Sequence, residues 1–135
     1  MKTFLQAIAT EEGFYASGSL PNRPQRNNNP GDLEYNAETV RFGATKGDPR
    51  FAIFPTVAIG WKALQHWLSI PARFNASGNL VSGYLGAEIH QVIGRFAPDN
   101  ENNTATYLAS VCAQTGCQES DTLTTAMLQT PEIGE

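Results

Sequence analysis

Two cysteines, two histidines, two methionines and two tryptophans are all that this chain of 135 residues holds of those types. Cys112 and Cys117 have no histidine nearby, and His66 and His90 stand alone, so a zinc site of ordinary ligand spacing is excluded. Neither a metal nor an organic cofactor is expected. Charge is scarce too, at 16% of residues, with nine basic against thirteen acidic side chains and a net charge of −4. No basic stripe is present, and a nucleic-acid binder needs clustered Lys and Arg to displace counterions. No apolar run approaches the roughly 20 residues of a membrane span, so no membrane insertion is expected. The opening Met1-Lys2-Thr3-Phe4-Leu5 runs into Glu11-Glu12 without a long apolar stretch and does not read as a signal peptide. No internal repeat is visible. The two thiols leave two readings open: a disulfide, if the chain departs from helical geometry at Gly116, or a pair of inert cysteines.

What the chain does have is turn formers and amphipathic helices. Its length suits one domain, spanning 1–135, with 118–135 as a short helix and tail. Residues 2–12 predict a helix with Phe4, Leu5 and Ile8 on one face and Gly13 as its terminator. From Tyr15 to Tyr35 the chain is rich in Gly, Pro and Asn, including Asn27-Asn28-Asn29-Pro30-Gly31. So long a loop in a small domain tends to be functional. Thr39–Phe42 and Phe51–Phe54 read as strands of one small hairpin. Thr56 caps the best helix, to about Leu68. Residues 72–84 read as a loop, Leu85–Phe96 and Asn103–Thr115 as helices, and Asp121–Leu128 as a short last helix. The expected class is α+β, mainly helical.

Glu12 is the first candidate for chemistry. On a wheel of about 100° per residue, the apolar direction of Phe4, Leu5 and Ile8 passes within about 35° of it, and Glu11 lies about twice as far away. Glu12 therefore faces the core side at the last helical turn. Partial burial and the negative end of the helix dipole both disfavour its charged form, which is what a general acid needs near neutral pH. A surface carboxylate that merely ends a helix is the plainer alternative.

Five blocks in order then carry a resemblance. They are Ala9-Thr10-Glu11-Glu12-Gly13-Phe14-Tyr15, Arg26-Asn27-Asn28-Asn29-Pro30-Gly31-Asp32-Leu33, Phe51-Ala52-Ile53-Phe54-Pro55-Thr56, Gly60-Trp61-Lys62-Ala63-Leu64, and Ile93 to Tyr107. Over roughly residues 5–116 the chain resembles small bacterial and phage lysozyme-like proteins of the lytic transglycosylase superfamily, often labelled virion-associated or structural. The resemblance implies a helical lobe, a small β-hairpin lobe and a glycan groove between them, with Glu12 as the catalytic acid and Glu11 as its competitor. It implies cleavage of peptidoglycan strands at the β-1,4 bond after N-acetylmuramic acid. It also suggests the Tyr107 hydroxyl near the acid.

Candidate substrate contacts are Asn28, Asn29, Asp32, Phe54 and Tyr107. A second carboxylate, as a lysozyme would use, could come from Asp32, Glu34 or Asp48, but Asp32 and Asp48 read foremost as turn residues. The single-acid, transglycosylase-like route is therefore expected. A monomer is expected, acting outside the cytoplasm or in a virion and leaving by a holin-type pore, a partner domain or a separate leader. The rival readings are a non-catalytic virion or wall-binding module that keeps the fold, and a glycosidase on a related polymer such as chitin.

Overall fold

The computed structural model describes residues 1–47 and 49–132. Asp48 lies outside the described residues. The first helix, α1 (Phe4–Glu11), starts at a reciprocal cap. Thr3 Oγ1 accepts from the Gln6 amide at 3.2 Å while the Gln6 side chain accepts from the Thr3 amide at 3.0 Å. Phe4, Leu5 and Ile8 are buried, as the apolar face predicts, and Ala7 and Ala9 are buried as well. Glu12 is the C-cap, and Gly13 follows with φ +90°, a conformation that side chains disfavour.

The long turn-rich stretch is not structureless. It contains a one-turn helix, α2 (Arg23–Arg26), capped by Asn22. Asn22 also donates to the Gly13 carbonyl at 2.7 Å, and Gln25 donates to the carbonyls of Phe14 and Ala16 at 3.0 and 2.7 Å. Side-chain amides thus replace the ladder that a regular element would supply.

The expected strand at Thr39–Phe42 is instead a short helix, α3 (Ala37–Val40), running into a turn. Asn36 decides the outcome: its Oδ1 accepts from the amides of Glu38 and Thr39 at 2.9 and 3.0 Å. That capping outweighs the β-preference of Thr39 and Val40. The hairpin pairs β1 (Thr45–Lys46) with β2 (Ala52–Ile53), antiparallel, with Thr45 opposite Ile53.

Helix α4 (Val57–Ser69) begins where Thr56 Oγ1 accepts from the Ile59 amide at 3.2 Å, and it buries Trp61, Ala63, Leu64 and Leu68. The stretch expected to be a plain loop at 72–84 holds a second hairpin, β3 (Arg73–Phe74) with β4 (Leu80–Ser82). Asn75 closes its turn by accepting from the amides of Ser77 and Asn79, both at 3.0 Å. The helix predicted from Leu85 starts later, as α5 (Ile89–Phe96), because the backbone of Leu85 is already paired with Ile70 and Ala72. Next comes α6 (Thr104–Thr115), ended by Gly116 at φ +77°. The predicted last helix shrinks to a 3-10 turn at Thr125–Leu128.

The architecture is α+β and mainly helical, with two small antiparallel hairpins among the described residues. No described helix is long and apolar enough to cross a membrane. The core joins α1, α4, α5 and α6 through Leu5, Ile8, Leu64, Leu68, Ile89, Ile93 and Val111, with Leu123 and Leu128 closing it from the C-terminal segment.

One contact fixes the turn-rich stretch to the helices. A Cβ on Gly60 would stand 1.9 Å from the Asn28 carbonyl oxygen and 2.9 Å from Pro30 Cδ. Only a glycine lets α4 approach that backbone. Gly60→Ala should cost roughly 1–3 kcal/mol, since the loop must be pushed off the helix. Gly94→Ala, on α5 with nothing within 4 Å of its would-be Cβ, should gain up to about 1 kcal/mol from helix propensity. Denaturant unfolding of the two variants checks both signs.

Candidate active site

A cleft of about 580 Å³ opens over the end of α1, a volume in the range of small-molecule and oligomer sites. One wall comes from the turn-rich stretch and the first hairpin, with Arg23, Asp32, Glu34, Tyr35, Arg50 and Phe51. The other comes from Trp67, Tyr84 and the α5 end, with Arg95, Phe96, Pro98 and Glu101. Glu12 belongs to the same lining.

Helix α6 packs beside α1 and holds both glutamates differently. The Tyr107 hydroxyl donates to Glu12 Oε2 at 2.7 Å. Ser110 Oγ and Gln114 Nε2 donate to Glu11 Oε2 at 2.8 and 2.9 Å. Glu11 is thus tied to the flank of α6 and is not part of the cleft lining, whereas Glu12 is. The helical-face reading separated these neighbours in the same sense.

Burial pushes the Glu12 carboxyl up from 4.5 to about 7. The Tyr107 hydrogen bond works in the opposite direction by stabilising the carboxylate, as does the charge of Arg23, while Asp32 and Glu11 add repulsion. Tyr107 itself is held well above the ordinary phenol range, first by its burial and then by the neighbouring carboxylate. It therefore stays a neutral donor at physiological pH.

The remaining cleft carboxylates are engaged. Asp32 sits in left-handed backbone at φ 49°, and its side chain is 6% exposed. Arg23 clamps it, Nε lying 3.1 Å from each carboxylate oxygen, with Nη2 on Oδ2 as well. The Arg23 guanidinium also lies over the Phe51 ring, 3.6 Å from its centroid. Arg50 joins Glu34 at 3.0 Å to Glu101 at 3.1 Å, linking the hairpin side to the α5–α6 loop.

The candidates named from sequence separate into two groups. Glu12 and Asp32 line the cleft, and Tyr107 bonds Glu12 from beneath. Asn28, Asn29 and Phe54 are not in the lining. Asn29 is fully enclosed and its amide is spent on the backbone: it accepts from the Leu33 amide and donates to the carbonyls of Leu33 and Ala52, each at 2.9 Å. Asn28, left-handed at φ 53°, donates to the Phe54 carbonyl at 3.0 Å. Phe54 is a core ring, 1% exposed. Together these residues stitch the turn-rich stretch to β2, which is what places Asp32 and Phe51 beside Glu12.

Sequence reasoning missed Arg23, Arg50, Arg95 and Glu101. Single charges scattered over a one-turn helix, a loop and a helix end carry no shared periodic signal, and only folding brings them around one cleft. His66 and His90 pair with Glu38 and Glu88, at 2.6 and 3.2 Å, away from the cleft lining. No cluster of His, Cys, Asp and Glu suited to a metal occurs among the described residues.

No protein-family model matches this chain, and no curated protein matches it in sequence.

Two titrations test the geometry. Tyr107→Phe removes a donor to the carboxylate, so the Glu12 pKa should rise above about 7, read from the Glu12 side-chain carbon shift by NMR. The second concerns stability. The folded pKa of Glu12 is above its unfolded value, so the folded state holds the extra proton. This contribution is fully present below about pH 4.5 and is lost as pH rises through about 7. Glu12→Gln, which cannot ionise, should therefore gain on the wild type by up to roughly 3 kcal/mol between those limits. Parallel unfolding curves from acid to mildly alkaline pH would show a constant difference if Glu12 were an ordinary exposed carboxylate.

Proposed function

We propose that this protein cleaves the glycan strands of peptidoglycan at the N-acetylmuramic acid–N-acetylglucosamine β-1,4 bond, as a lysozyme-like enzyme with Glu12 as its single acid/base. The observation that carries this reading is a cleft carboxyl whose pKa is pushed to about 7 and whose Oε2 is occupied by Tyr107. The five-block resemblance to the lytic transglycosylase superfamily supplies the substrate class. The order of elements, with the acid at the end of the first helix and a hairpin across the cleft, agrees with it.

Chemically, breaking a glycosidic bond requires a proton for the leaving oxygen and a partner for the electron-poor anomeric carbon. Protonated Glu12 gives its proton to the leaving O4 of N-acetylglucosamine. With Oε2 accepting from Tyr107, Oε1 is the oxygen that passes the proton. The acetamido oxygen of the same muramyl residue bonds to C1 as the C1–O4 bond breaks. The Glu12 carboxylate then takes the proton from the muramyl 6-hydroxyl, whose oxygen displaces the acetamido oxygen and closes a 1,6-anhydro ring. This route needs no second carboxylate. It suits a cleft in which Asp32, Glu34 and Glu101 are each paired with an arginine. Acting on the wall places the protein outside the cytoplasm or in a virion.

Clearing of purified peptidoglycan should fall by about 100-fold or more in Glu12→Gln, and mass spectrometry of the wild-type products should show 1,6-anhydromuramyl ends. Reducing ends would move the enzyme to hydrolysis by activated water. Equal clearing by both proteins would remove Glu12 from its role. Binding without clearing by either would leave a wall-binding module.

A further inference from the structure

Away from the cleft, the chain's two cysteines meet. Cys112 lies in the last turn of α6, and Cys117 follows the left-handed Gly116 that reverses the chain. The Cys117 thiol donates to the Cys112 sulfur across 3.4 Å, and both side chains are half-buried. The Cys117 amide is fixed by Thr115 Oγ1 at 3.2 Å and the Gly116 amide by the Cys112 carbonyl at 2.8 Å. The backbone on both sides of the pair is thus held in place. A disulfide needs its sulfurs at about 2.05 Å, so closure has to bring this pair nearer from 3.4 Å. The chain has no third cysteine to compete.

We propose that Cys112 and Cys117 are a modification site, a thiol pair that a small-molecule disulfide oxidises to an intramolecular disulfide stapling the end of α6. The Cys117 thiolate attacks one sulfur of the small disulfide, forming a mixed disulfide and releasing one thiolate. Cys112 gives its proton to solvent and attacks the Cys117 sulfur, expelling the second small thiol. Two protein thiols are oxidised and one disulfide is reduced to two thiols. The attacking form of each sulfur is its thiolate, and burial, with the contact to Cys117 after it, pushes the Cys112 thiol up to about 12. The staple closes on the helix that carries Tyr107, Ser110 and Gln114, the three donors to Glu12 and Glu11. It is independent of what the cleft binds.

The test is equilibration of the full chain with oxidised and reduced glutathione, acid quench and intact mass, folded and again in guanidinium. Because the folded geometry holds the sulfurs together, the effective concentration of the pair should be at least about tenfold higher folded than unfolded. Cys112→Ser and Cys117→Ser should yield only mixed disulfides, and oxidation should raise the melting temperature of the wild type alone. A folded-to-unfolded ratio of one or less overturns the proposal, because closure would then strain the native turn. So does a folded wild type carrying glutathione on both cysteines.

Discussion

The seam between α1 and α6 is the constraint on which the site depends. Two adjacent glutamates at the end of α1 meet three donors from α6, and the donors differ in what lies behind them. Ser110 and Gln114 hold Glu11 against the helix flank. Tyr107, almost wholly enclosed, offers Glu12 a single hydroxyl from the core side. One hydrogen bond is too little to offset the loss of hydration, so burial prevails and the proton stays on to about neutral pH. Were α6 displaced, Glu12 would regain water and become an ordinary carboxylate.

Charge in the cleft is arranged around that one proton. Asp32 raises the Glu12 pKa, and Arg23, clamped on Asp32, offsets part of that rise. The Arg23 guanidinium also lies over the Phe51 ring. Arg50 pairs with Glu34 and Glu101. Those two pairs are exposed, where ion pairs contribute little to stability, so their effect is to occupy the carboxylates rather than to hold the fold.

The turn-rich stretch connects this chemistry to the fold. Asn29 has no contact with the cleft, yet its amide satisfies three buried backbone groups and sets the bend that presents Asp32. Gly31 and Gly60 let the same bend lie flat on α4. The asparagine run acts as an internal scaffold, because buried backbone polar groups must find partners and amide side chains here take the place of a strand.

The amphipathic faces of the helices, the cap at Thr56, the stop at Gly13 and the inward aim of Glu12 were all legible in the sequence. They depend on residues within a turn or two of one another, where spacing alone sets geometry. The helix at Ala37–Val40, the second hairpin and the late start of α5 were not legible, since each was decided by a cap or a backbone partner that competed with local preference. The site divided along the same line. Local periodicity turned Glu12 inward, but only the packed chain brought Tyr107 from 95 residues away to its carboxylate and gathered three arginines around the cleft. A carboxyl's proton affinity is set by everything within a few ångströms, and distance in space is what a linear order of residues does not contain.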